Sequence, residues 1–371
     1  MNPPSILDQT RWPVSFVNYG KAMDIGTNPR FFNAGLVEHG GSLWLVSRKS
    51  EEVQGSQHGM NSLWAFQLGG DMRPVMGLKI PLCGPYRNQH FEDPRITKWQ
   101  GRLWLSFCTF VVNPDDTWHG AHQGTAMLMD DWNVSSMHDP LYGSNGGSVL
   151  QNTGNEKNWL WFEHESELMC VYMTHPHTIL RWTFGPTVAE SFSTEANHFD
   201  RWAYGHARGG TPPVRVGDEY WSFFHSSLDG QAFNGKRRYY MGAYAFQAKP
   251  PFSVTRVSVK PLLVASEKDP FHPTLPAVVF PSGAVLRDGE WTISLGVNDC
   301  ATAIIKIPHG DIEKETDGTN RCTPKPTEHA GDCQDRKPVA VRPKRRHMAR
   351  RRPRKPTVAR GVADPHGPVP A

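Results

Sequence analysis

At 371 residues, with 34 glycines, 31 prolines and a hydrophobic content of only 38%, the chain has the composition of many short strands joined by turns, and its thirteen tryptophans offer large burial per side chain. The formal charge of +4 is unevenly placed: residues 311–371 carry fifteen Lys/Arg against eight Asp/Glu, which leaves the rest slightly acidic and excludes it as a basic nucleic-acid binder. No stretch approaches the roughly eighteen apolar residues of a membrane span, and the six cysteines show neither metal-ligand spacing nor a small-scaffold disulfide pattern.

The N-terminus, MNPPSILDQTRWPV, has no basic region followed by an apolar run, so no signal peptide is expected. Reduced thiols and a cytoplasmic location follow as expectations. The triplet Asn133-Val134-Ser135 is then a chance match to a glycosylation site.

Taken in order, the chain repeats one pattern. Asn33 stands eleven residues before Trp44, Asp93 eleven before Trp104, and Asn158 eleven before Met169. The turn Gly209-Gly210-Thr211-Pro212-Pro213 and the run Phe280-Pro281-Ser282-Gly283 precede Trp221 and Trp291 at the same offset, counted from Gly210 and Phe280. Turn signals such as His39-Gly40-Gly41, Trp99-Gln100-Gly101 and Arg287-Asp288-Gly289 lie between anchor and strand. Each unit therefore opens with a hairpin whose second strand is apolar and aromatic. Five units at a spacing of 50–70 residues predict a five-bladed, all-β propeller over residues 1–310, with the first thirty residues lending a closing strand to the last blade.

Past Ile307-Pro308-His309 the pattern stops. Residues 311–371 hold few large apolar groups and are expected to form a disordered basic tail. The run from Arg342 to Arg352 could hold a nucleic acid or another polyanion, or could simply be solvated.

In a propeller the inner strands line a central channel, so the anchors converge at its mouth. This gathers Asn33, Asp93, Lys157, Asn158, the Gly209–Pro213 turn and the Phe280–Gly283 turn, with Arg48 and His225 four residues past their strand centres and Asp299 after the last apolar strand. Hydrogen-bonding groups among aromatic rings suit a sugar. Asp93 could be a general acid if its surroundings favour the protonated form, and Lys and His could hold a phosphate or a developing negative charge. Each residue also has a structural reading: Asp93 capping its turn and pairing with Arg95, Arg48 in an ion pair, His225 in the core, and the glycines allowing close approach. Side-chain alternation along a strand predicts that Glu92 faces away from Asp93. Glu163 and Glu165 are candidates for a second, basic carboxylate.

Several runs in this order carry a family resemblance over residues 28–307: Asn33-Ala34-Gly35, Glu92-Asp93-Pro94-Arg95, Glu156-Lys157-Asn158-Trp159, Gly209-Gly210-Thr211-Pro212-Pro213, Arg238-Tyr239-Tyr240-Met241-Gly242 and Gly296-Val297-Asn298-Asp299. The chain resembles glycoside hydrolase family 130, five-bladed propellers that include inverting mannoside phosphorylases and mannosidases. The resemblance implies Asp93 as general acid acting through a sugar hydroxyl, Lys157 and His225 as contacts to inorganic phosphate, and Asp299 near the substrate. It implies no metal and no organic cofactor. One departure concerns phosphate: these phosphorylases usually carry arginine on the segments that follow the catalytic blade strand, whereas Gly120–Met127 has none and no arginine occurs between Arg102 and Arg181.

Three functions remain open at this point. The chain is an enzyme that cleaves β-mannosides or related glycosides by phosphorolysis or hydrolysis, with an oligosaccharide and, for phosphorolysis, inorganic phosphate as partners. Alternatively it is a glycan-binding propeller without catalysis. In the third reading it is a platform whose basic tail binds a polyanion. None involves a membrane.

Overall fold

The computed structural model describes residues 5–9, 11–19, 30–51, 60–82, 90–112, 118–138, 156–182, 188–232, 235–270 and 275–316. A short helix α1 (Ile6–Gln9) and a strand β1 (Val14–Phe16) precede the first blade, formed by β2 (Arg30–His39), β3 (Ser42–Glu51), β4 (Met60–Leu68) and β5 (Pro74–Lys79). The second blade is β6 (Phe91–Trp99), β7 (Arg102–Val112), β8 (Trp118–Leu128) and β9 (Val134–His138). The third is β10 (Leu160–His164), β11 (Glu167–Met173), β12 (His177–Trp182) and β13 (Val188–Thr194).

In the fourth blade two short strands, β14 (Arg208–Gly209) and β15 (Val214–Val216), pair with β16 (Glu219–Leu228), followed by β17 (Arg238–Gln247), β18 (Val254–Val257) and β19 (Leu263–Val264). The fifth has β20 (Val279–Arg287), β21 (Glu290–Val297) and β22 (Ala301–Pro308). Its fourth strand is β1, antiparallel to β22 with Ser15 opposite Ile304. The expected five-bladed, all-β propeller is therefore the observed one, and the N-terminal region closes it.

The core is divided by the blades. One cluster packs Trp44 and Trp132 with Leu105 and Phe107 between blades one and two, and another packs Trp104 with Trp159 and Trp161 between two and three. Phe162, Tyr220 and Phe246 fill the next interface, Trp221, Phe223 and Trp291 the one after, and Phe31, Phe66 and Ile304 the last. The residues eleven past each anchor are thus the ones buried between neighbouring sheets. Large aromatics serve there because sheet faces meet about 10 Å apart and must be filled without voids.

The boundary expected at residue 310 is corrected. Residues 311–316 do not begin an unstructured tail but belong to a helix, α2 (His309–Thr316), with Ile312 and Thr316 buried. The Trp12 indole donates to Asp311 at 3.1 Å and Arg11 pairs with Glu315 at 2.9 Å, so the helix is fastened to the closing strand's approach. The apolar period of the strands ends before it, which is why it escapes a reading by strand pattern. The basic run 342–352 lies outside the described residues, as does the rest of 317–371. No helix among the described residues is long and apolar enough to cross a membrane.

Candidate active site

The recurring anchors share a backbone feature. Asn33, Asp93 and Asn158 are all left-handed, at φ 51°, 49° and 68°. That region is costly for most L-residues and is tolerated best by Asn and Asp after glycine. In β2 and β6 the strand register shifts across the left-handed residue, between Phe32 and Gly35 and between Glu92 and Arg95. The bulge adds a residue to the inner strand and re-aims its side chain.

This overturns the expectation for Glu92. Alternation predicts that it faces away from Asp93, but both converge on one guanidinium: Arg48 Nη2 lies 2.6 Å from Glu92 Oε1 and Arg48 Nη1 lies 3.9 Å from Asp93 Oδ1. A left-handed residue breaks the twofold side-chain period, so a rule that holds for extended backbone fails at this pair. Asn61, at the start of β4, also donates to Glu92 Oε1 at 2.7 Å. Burial pushes the Glu92 carboxyl up to about 7, with Arg48 opposing and the charges of Asp93 and Asp299 adding to the rise.

Asn33 links the first, second and fifth blades. Its amide nitrogen donates to Asp93 Oδ1 at 2.8 Å and lies 3.4 Å from Asp299 Oδ1. A side chain on Gly296 would collide with the Asn33 amide, so glycine there is what allows this approach. Asp299 is presented by two successive left-handed residues, Asn298 at φ 53° and itself at 50°. The Asn298 side chain fixes that turn, accepting from Val278 N and donating to Ser266 O, both at 2.7 Å. Burial holds the Asp299 carboxyl above the usual range, and the charge of Asp93 adds to this, while Arg48, the Asn33 amide and Lys157 oppose it.

Arg95 does not pair with the Asp93 carboxylate. Its guanidinium donates to the Asp93 carbonyl at 3.0 Å, to Gly210 O at 2.7 Å, to Gly209 O at 3.3 Å and to Asn158 Oδ1 at 3.0 Å, and it lies 5.2 Å from the Phe280 ring centroid. One buried side chain thereby ties blades two, three and four, with an aromatic face from blade five. Burial lowers its pKa to about 10, so it stays charged at neutral pH. Gly209 has the role expected of close approach, since a side chain there would strike the Asn158 carbonyl.

Lys157 is exposed, and its charge acts on Glu92, Asp299 and His225. His225 is 2% exposed and packs against Phe280 at 4.5 Å and Tyr239 at 5.9 Å between ring centroids. Burial drives its pKa well below the ordinary value, with the charges of Arg208, Arg95 and Lys157 adding to the effect, so it is neutral near pH 7. Arg208 sits opposite it across β14 and β16, donates to Ser227 Oγ at 2.7 Å and lies 5.4 Å from the Tyr239 ring centroid.

Asn33, Arg48, Asp93 and Asp299 thus meet directly, Asn158 joins through Arg95, and Lys157 and His225 join through charge. Asn61 and Arg208 carry no sequence signal, because neither has a counterpart at the repeat offset. Glu163 and Glu165 are excluded from the site. Glu163 Oε2 accepts from Gln100 N at 2.9 Å, at the far end of β6, and seven residues of strand separate Gln100 from Asp93, about 23 Å at 3.3 Å per residue. Among the described residues, no group of His, Cys, Asp and Glu could hold a metal ion.

Three carboxylates and a guanidinium thus gather where the inner strands of the propeller bulge, with the charge of a lysine acting on them. A family model described as beta-1,4-mannooligosaccharide phosphorylase matches residues 84–316, and the chain belongs to glycoside hydrolase family 130. Among solved structures, the β-1,2-mannobiose phosphorylase of Listeria innocua, in complex with β-1,2-mannobiose, is similar at 12% identity and a TM-score of 0.58, over 81% of this chain and 98% of that one. A GDP-Man-dependent mannosyltransferase from Leishmania mexicana gives 14% identity and a TM-score of 0.57, over 81% and 91%. A structure of the same family, reported for glycoside hydrolases that target β-1,2 mannosidic linkages in Candida mannan, gives 13% and 0.56, over 76% and 85%. At these identities the structures establish the fold alone. A search of curated proteins finds no match.

Proposed function

We propose that the chain cleaves β-mannosides or related glycosides by phosphorolysis, with inversion at the anomeric carbon and Asp93 as the general acid. The observation that carries this reading is the bulge at Asp93, which turns its carboxyl into a cluster with Glu92 and Asp299 and against the Asn33 amide. Carboxyls crowded together cannot all ionise, and a site that retains protons can deliver one to a departing glycosidic oxygen. Asn33, Arg48, Asn158 and Asp299 then serve as contacts that hold the sugar. Lys157 and Arg208 supply positive charge for phosphate, while His225, buried and neutral, braces the wall behind them. Arg208 offers a guanidinium that the stretch Gly120–Met127 lacks.

Phosphorolysis is favoured over hydrolysis by the carboxylate spacing. An inverting hydrolase keeps its two carboxyls about 6.5–9.5 Å apart, with a water between them and the sugar. Asp299 and Asp93 instead lie 3.4 and 2.8 Å from one amide nitrogen, closer than that arrangement allows, and Glu92 is the chain neighbour of Asp93. Inorganic phosphate brings its own nucleophilic oxygen and needs cations rather than a base.

Incubation with mannobiose isomers, with and without phosphate, tests the reading. Mannose 1-phosphate released only when phosphate is present is the expected outcome. Free mannose formed without phosphate would replace phosphorolysis by hydrolysis, and binding without turnover would leave a glycan-binding propeller.

A further inference from the structure

A row of packed side chains runs from beside the carboxylate cluster into blade four. Arg95 lies 5.2 Å from the Phe280 ring centroid, and Phe280 packs 4.5 Å from His225. His225 stacks on Tyr239 at 5.9 Å with the ring planes 16° apart, and Arg208 closes the row 5.4 Å from the Tyr239 centroid. Tyr239, at the start of β17, is fixed from two sides. Its amide donates to Ala277 O at 2.9 Å, in the approach to β20, and its carbonyl accepts from Ala265 N at 3.0 Å, just past β19. Its half-buried ring is therefore a shelf set by blade four and the entry to blade five.

Arg208 rests on that shelf in a different electrostatic state from the arginines nearby. Arg237 pairs with Asp229 at 2.8 Å and Arg238 with Glu267 at 3.0 Å. Arg208 has no carboxylate partner among the described residues: its Nη2 donates to the Ser227 hydroxyl at 2.7 Å, and its Nε is buried without an acceptor. The half-buried charge is met only by a neutral hydroxyl and an aromatic face. A guanidinium over such a face is attracted to the ring without using its N–H groups, which stay available for the oxygens of an anion.

We propose that Tyr239 is a positioning residue whose ring holds Arg208 in place for inorganic phosphate, and so sets phosphate affinity without entering the chemical step. The inference rests on phosphate being the nucleophile and Arg208 one of its contacts. A mobile arginine loses rotamer freedom when it grips an anion, and one already restricted by a ring loses less.

Phosphorus-31 NMR titration of the full chain with inorganic phosphate, without sugar, reads this directly. Tyr239→Phe keeps the ring and should bind phosphate within about twofold of wild type, whereas Tyr239→Leu should bind it about tenfold more weakly, within the range of a partly desolvated cation–π contact. In turnover Tyr239→Leu should raise KM for phosphate by the same factor and leave kcat at saturating phosphate within about twofold, the pattern of lost binding rather than lost chemistry. Combined with Arg208→Met, Tyr239→Leu should weaken phosphate binding no further than Arg208→Met does alone. A loss that persists on top of Arg208→Met would overturn the proposal, because the ring would then act through His225 or the fold. Equal losses in Tyr239→Phe and Tyr239→Leu would also overturn it and assign the effect to the hydroxyl, and so would an undiminished affinity in Tyr239→Leu. Wild type that binds no phosphate would overturn the phosphorolytic reading itself, and this inference with it.

Discussion

Asp93 near one end of β6 sits at φ 49°, and Gln100 just past the other end sits at φ 48°. At the hairpin end the left-handed residues, Gln100 followed by Gly101 at 77°, reverse the chain, and the side chains nearby are exposed. Glu163 there meets a backbone amide and the solvent. At the mouth the same conformation makes a bulge in place of a turn, and it drives carboxylates and amides from separate blades into contact. One backbone state thus serves reversal at one end and convergence at the other. A side chain reaches the next blade at both ends, since Gln100 Nε2 donates to Ser166 O at 3.2 Å; what differs is that the contact at the hairpin end is exposed and those of Asn33 with Asp93 and Asp299 are part-buried.

The contrast can be broken most strongly at the acids. Asp93→Asn should reduce kcat by about a thousandfold, within the range for loss of a general acid, and Glu163→Gln at the other end of the same inner strands should stay within twofold of wild type; steady-state kinetics checks both. The next largest effect is on stability. Arg95→Met leaves the carbonyls of Asp93, Gly209 and Gly210 without their donor and should cost about 3 kcal/mol or more in denaturant unfolding. Arg181→Ala removes the exposed pair with Glu167 at 2.8 Å and should cost below about 1 kcal/mol.

Two buried titrating groups, one in the core between blades and one in the carboxylate cluster, respond oppositely to pH. His177, packed 4.8 Å from Phe246 in the core between blades three and four, is pushed down to about 3 by burial. A folded value below the unfolded one of about 6.5 gives stability that is complete above that pH and is lost as pH falls towards 3. Glu92 at the mouth is raised to about 7, so its contribution is complete below about 4.5 and is lost as pH rises through 7. Stability curves between pH 4 and 8 should therefore flatten on the acid side in His177→Phe, and lose their decline near neutrality in Glu92→Gln. The smallest effect belongs to the hairpin end: Gln100→Gly relieves a left-handed non-glycine but gives up the exposed hydrogen bond from Gln100 Nε2 to Ser166 O at 3.2 Å, so stability should stay within about 0.5 kcal/mol of wild type.

Why the blades were legible in sequence follows from the same backbone. A left-handed bulge selects Asn or Asp, and the interface between sheets selects Trp, so Asn33 with Trp44 and Asp93 with Trp104 repeat at one offset. Blades four and five use Gly210 and Phe280 at that offset without a positive φ, and there the repeat is held by the tryptophans. The orientation of Glu92 was not legible, since alternation presumes extended backbone on both sides of Asp93. Asn61 was hidden because it comes from β4, outside the repeating hairpin, and Arg208 because its place two residues before the anchor is held by Phe31, Phe91 and Glu156 in the first three blades. Glu163 and Glu165 misled because proximity in sequence to Asn158 says nothing about which end of β10 reaches the mouth. Helix α2 lies where strand periodicity ends, and its tie to the N-terminal region through Trp12 and Arg11 spans nearly the whole chain.

The central claim is that one acid at the mouth releases the leaving group while phosphate attacks the anomeric carbon from the opposite side. Proton NMR of the first turnover on a β-linked mannobiose, in phosphate, reads that geometry directly. The account predicts α-mannose 1-phosphate as the initial product, formed by wild type and not by Asp93→Asn. A β-configured product, or an undiminished rate in Asp93→Asn, would contradict it.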